Sequence, residues 1–67
     1  MRLTVNGEPR QIEGAAPALA DLVRAMGLEG KRIAVERNGE IVPRSRYADT
    51  RLAEDDRLEI VGAVGGG

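Results

Sequence analysis

The sequence predicts an α+β domain in which one helix lies across one face of a mixed sheet of four to five strands. Three observations carry this: period-2 apolar alternation near both ends of the chain, one segment with helical spacing, and two Asn-Gly dipeptides between short alternating segments.

Met1, Leu3 and Val5 alternate with Arg2, Thr4 and Asn6, so one face of a first strand is buried. Asn6-Gly7 accepts positive φ at both positions and closes a hairpin, with residues 10–13 as the return strand and Ile12 pointing inward. Pro9 marks that strand as an edge. Leu19, Leu22, Val23 and Met26 then fall at i, i+3, i+4 and i+7, the apolar stripe of a helix whose Asp21 and Arg24 face away. Pro17 suits its first turn and Gly27 the left-handed position past its end. Gly14, Ala15 and Ala16 offer no capping oxygen, which predicts fraying at the start.

Ile33 and Val35 mark a third strand, Asn38-Gly39 a second tight turn, and residues 40–42 a short fourth strand ended by Pro43. Residues 45–53 have no clean period; Tyr47 and Leu52 are placed as a loop or single helical turn over the open end of the core. Glu54-Asp55-Asp56 reads as a solvated turn, and Leu58 and Ile60 as the inward residues of a last strand. A crossover helix that returns the chain parallel to the first strand sets the first and last strands side by side in the sheet centre. The domain is thus expected over residues 1–61, with residues 62–67 as a flexible glycine tail.

The composition excludes much chemistry. With 67 residues, 42% hydrophobic and 31% charged, the chain forms one small globular core and has no membrane-spanning run. Met1 leads directly into a strand pattern without a secretory signal, so the expected location is cytoplasmic. Without cysteine or histidine there is no disulfide, no thiolate or imidazole metal site, and no Cys/His or Ser/His nucleophile. A net charge of -1 and a single aromatic, Tyr47, speak against a nucleic-acid partner. The glycines lack the Lys-Ser or Lys-Thr of a phosphate-binding loop, so ATP binds elsewhere if it is used. Arg44 and Arg46 receive no role.

What remains is the ending Val64-Gly65-Gly66-Gly67. Glycine is the residue that bends most freely and fits where a Cβ would clash, and six residues from Gly62 extend to roughly 20 Å. Such a tail can pass into another protein's active site and present an unhindered carboxylate. Activation with AMP turns that carboxylate into an electrophile that a sulfur nucleophile attacks. Glycine-rich ends are also commonly frayed segments with no role. Here Val64 can fill a small apolar pocket, and the tail leaves a central strand after few residues.

Along nearly its whole length the chain resembles the ThiS family of ubiquitin-like sulfur carriers. The resemblance rests on the Asn6-Gly7 hairpin, the helix over residues 19–26, Ile33-Ala34-Val35, Asn38-Gly39-Glu40, Ile41-Val42-Pro43-Arg44, the acidic turn and the tail. It implies a β-grasp fold and a protein that is not itself an enzyme. Gly67 would be adenylated and thiocarboxylated, with Val64, Gly65 and Gly66 threading the partner's channel. The implied partners are a ThiF-like adenylating enzyme using ATP and magnesium, a persulfide sulfur donor, and a ThiG-like thiazole synthase. Gly65 is a third glycine where two suffice, and Tyr47 stands where the family often has tryptophan. Two alternatives are a molybdopterin synthase small subunit, usually longer and with an aromatic-containing segment absent here, and a β-grasp binding module with an inert tail.

Overall fold

The computed structural model describes residues 1–14 and 17–62. Its elements are β1 (Arg2–Val5), β2 (Glu8–Gln11), α1 (Leu19–Ala25), β3 (Ile33–Arg37), β4 (Glu40–Val42), a 3₁₀ turn (Arg44–Arg46) and β5 (Arg57–Gly62). The sheet order is β2-β1-β5-β3-β4. β5 runs parallel to β1 and antiparallel to β3, so the last strand occupies the centre.

Both Asn-Gly turns have two left-handed central residues, Asn6 (φ 52°) and Gly7 (φ 81°), Asn38 (φ 51°) and Gly39 (φ 89°). Such turns match the right-handed twist of the strands they join. The two-residue loop sets Val5 opposite Glu8, so β2 occupies Glu8–Gln11 rather than residues 10–13. Pro9 lies opposite Thr4 in this edge strand. Ile12 follows just beyond β2, half-buried against the core, its N–H donating to the Met1 carbonyl at 2.8 Å.

The helix starts two residues later than its proline suggests: Leu19 is the first helical residue, Ala18 is the N-cap and Pro17 precedes it. No side chain at position 18 can cap, yet the free N–H groups are satisfied. Leu19 N–H donates to the Thr50 carbonyl (2.8 Å) and Ala20 N–H to that of Tyr47 (3.0 Å). Ala18 N–H donates to Asp21 Oδ2 at 3.0 Å. Carbonyls from the distant loop thus replace the local cap whose absence predicts fraying. At the other end Gly27 (φ 73°) donates to Arg24 and Leu28 to Val23, both at 3.0 Å, the paired bonds of a Schellman stop.

Leu19, Leu22 and Val23 face Leu3, Val5, Val35, Leu58 and Ile60 across the core, and Tyr47 and Leu52 close its open end. Tyr47 follows the 3₁₀ turn as the cap of that turn. The acidic turn is not wholly solvated: Asp56 is only 5% exposed and serves as a structural acceptor.

Candidate functional site

The predicted site residues Val64, Gly65, Gly66 and Gly67 lie outside the described residues. The structure defines the platform from which they depart. β5 is flanked on both sides, and its Leu58 and Ile60 are buried. Gly62 is its last residue, opposite Ile33 of β3. From there five residues reach Gly67, a contour of roughly 17 Å. A Cβ at Gly62 would meet nothing within 4 Å, so packing does not require glycine at this position.

Side chains from the two hairpin turns extend the pairing of β5. β1 pairs with β5 only at Thr4 and Val5. Beyond it, Asn6 takes the place of a neighbouring strand: Nδ2 donates to the Ile60 carbonyl at 3.0 Å, and Ile60 N–H donates to Oδ1 at 2.7 Å. On the other flank, Arg57 N–H donates to Asn38 Oδ1 at 2.9 Å.

Asp56 locks the start of β5. It accepts from Arg37 Nε (2.8 Å), Asn38 Nδ2 (3.0 Å) and Ala53 N–H (2.8 Å). Burial by itself raises its pKa, but these hydrogen bonds and the Arg37 charge outweigh it and hold the carboxyl below its usual 3.8. Glu54 Oε2 accepts from Arg2 N–H (2.9 Å), and Asp55 N–H donates to the Arg2 carbonyl (2.8 Å). The acidic turn therefore ties β1, β3 and β5 together.

On the sheet face away from the helix, Val61 (58% exposed) lies opposite Ala34, and Ile41 (66% exposed) opposite Glu36. Alternation identifies Val61 from the sequence, because inward Leu58 and Ile60 force it outward. Beside the departure point, Arg44 Nη2 donates to the Lys31 carbonyl at 2.9 Å. Among the described residues no group of three or more acidic, histidine or cysteine side chains converges to hold a metal, and no helix is long and apolar enough to cross a membrane. The geometry is that of a stand whose central strand is held on both flanks and leads into residues 63–67.

Comparison with known proteins decides what kind of stand this is. The ThiS family model matches residues 3–67, from the first strand through the final glycine. The chain belongs to the ThiS family. The sulfur carrier protein ThiS of Bacillus subtilis is 38% identical over 65 residues, covering 97% of this chain and 98% of that protein. A thiazole synthase of Paramagnetospirillum magneticum is 43% identical over 67 residues, covering 100% of this chain. The chain spans only 20% of that synthase's length, and likewise 20% of a Magnetococcus marinus thiazole synthase that is 40% identical. The crystal structure of the thiamine biosynthesis protein ThiS from Geobacter metallireducens superposes with a TM-score of 0.86 at 33% identity, covering all of both chains. The ThiS fold is thus the five-stranded β-grasp described above, with one helix on one face.

Proposed function

We propose that the chain is a cytoplasmic sulfur carrier for the thiazole ring of thiamin and works through the carboxyl group of Gly67. The observation that carries this reading is the family match, which runs through Gly67 and so includes the glycines with the folded body. The Gly67 carboxylate attacks the α-phosphate of ATP in a ThiF-like enzyme, and pyrophosphate leaves. A persulfide sulfur then displaces AMP from the acyl carbon. Reduction of the remaining S–S bond by a thiol leaves the thiocarboxylate, which hands its sulfur to a ThiG-like thiazole synthase. ATP and magnesium belong to the activating enzyme.

Each residue's part follows from its size. Gly65 and Gly66 let the chain pass a constriction that a Cβ would block, and Val64 gives the partner an apolar anchor at the channel mouth. The chain's own contribution is the Gly67 carboxylate, which is itself converted in the reaction, so the chain acts as co-substrate and not as enzyme. The similarity to segments of two thiazole synthases supports a ThiG-like receiver.

The test compares the full chain with a variant lacking Gly66 and Gly67. Each is incubated with ATP, magnesium, a persulfide donor and the activating enzyme. The full chain gains the mass of an oxygen-to-sulfur exchange; the shortened one stays unmodified while its thermal midpoint is unchanged. Sulfur on the shortened chain would disprove the reading.

A further inference from the structure

Asn6 and Asn38 are each followed by glycine in a two-residue turn, with φ of 52° and 51°. In an Asn-Gly pair the backbone nitrogen of the glycine can attack the asparagine carboxamide carbon with no side chain in the way. The attack closes a five-membered succinimide and expels the side-chain nitrogen as ammonia. Water then opens the ring at either carbonyl, leaving aspartate or isoaspartate. Water is the only reagent and ammonia the only other product. Both asparagines are exposed, and nothing lies within 4 Å of where a Cβ would stand on Gly7 or Gly39.

The same carboxamides are engaged with β5 and the turn before it. Asn6 holds both the carbonyl and the N–H of Ile60. Asn38 accepts from Arg57 N–H and donates to Asp56 Oδ1. Their backbone N–H groups donate to Leu58 (2.8 Å) and Arg57 (2.7 Å). To reach the glycine nitrogen, either carboxamide must rotate and release both of its side-chain hydrogen bonds.

We propose that Asn6 and Asn38 are sites of spontaneous deamidation whose reaction is gated by the release of β5. The two products differ in consequence. Aspartate at position 38 sets a carboxylate where Nδ2 now donates, 3.0 Å from an oxygen of the buried Asp56. Aspartate at position 6 sets a carboxylate where Nδ2 now donates to the neutral Ile60 carbonyl. Isoaspartate at either site adds a backbone carbon to a two-residue loop, which displaces the pairing of Val5 with Glu8 or of Arg37 with Glu40. Conversion at Asn38 therefore favours further opening of β5 and releases the Asn6 carboxamide from Ile60. Conversion at Asn6 loosens the strand two residues before Gly62.

The experiment incubates the whole protein at mildly alkaline pH across a urea series and follows both sites by peptide mapping. The expected result is deamidation about tenfold or more slower in native buffer than in unfolding urea, with intermediate rates tracking the unfolded fraction. Equal rates in native and unfolded protein would overturn the gating. In parallel, Asn38→Asp lowers the urea midpoint more than Asn6→Asp, and failure of Asn38→Asp alone to fold is the extreme of that order. The reverse order would overturn the part assigned to Asp56.

Discussion

Replacing Asp56 with alanine removes one acceptor from three donors: the Arg37 guanidinium, the Asn38 amide and the Ala53 N–H. A hydrogen bond to a charged acceptor contributes about 1.5–3 kcal/mol when buried, so the full sum would be several kcal/mol. Arg37 is 30% exposed and Asn38 lies at the surface, so water recovers part of what they lose. The expected net cost is about 2–3 kcal/mol at neutral pH. A chain of this length is stable by only about 3–10 kcal/mol, so the thermal midpoint should fall by about 10–20 °C. Urea and thermal unfolding followed by circular dichroism measure this directly. Acidification supplies a second reading. The folded carboxyl titrates below 3.8, so its stabilisation is complete above that value and is lost as pH falls through the lower, folded one. The gap between wild type and Asp56→Ala is therefore full at neutral pH and narrows below about pH 4. A loss under about 0.5 kcal/mol, typical of an ordinary surface change, or a gap that persists unchanged in acid would rule out this part for Asp56.

Further outcomes follow from the packing. Leu22→Ala, at a position 3% exposed between helix and sheet, should cost about 2–5 kcal/mol in urea unfolding. Gly27→Ala forces a Cβ into a left-handed φ of 73° and should cost about 1–2 kcal/mol. Gly62→Ala meets no neighbour and should stay within about 0.5 kcal/mol of wild type by the same assay. Asn6→Ala should speed amide exchange at Ile60, whose N–H loses its acceptor, before it changes exchange at buried Val35.

The sheet and helix were legible because their signals are local. Leu3 and Val5, Leu19 to Met26 and Leu58 with Ile60 each declare a period, and both Asn-Gly turns have the conformation their residues favour. Pro9 correctly marked an edge. The bounds of β2 were misplaced by a local effect, the two-residue loop that sets Val5 opposite Glu8, whereas the other misreadings come from contacts between residues distant in sequence. Leu19 and Ala20 are capped by Thr50 and Tyr47, so a weak local cap predicted fraying where the structure supplies hydrogen bonds. Asp56 looks like one of three solvated acids until the fold sets Arg37 and Asn38 against it. Asn6 has a turn signature, and nothing in the sequence foretells its grip on Ile60, 54 residues away. For the candidate site, the sequence singles out the glycines by residue type, and they lie outside the described residues; the platform before them emerges only from the central place of β5.

On the proposed function, the acyl carbon of Gly67 carries the sulfur. Reconstitution with the activating enzyme and a persulfide donor, followed by fragmentation of the terminal peptide in a mass spectrometer, addresses it most directly. The expected result is one oxygen-to-sulfur exchange confined to Gly67, formed only with ATP and discharged when a thiazole synthase and its substrates are added. Sulfur bound to any other residue, or a Gly67 carboxyl that stays unmodified under those conditions, would contradict it.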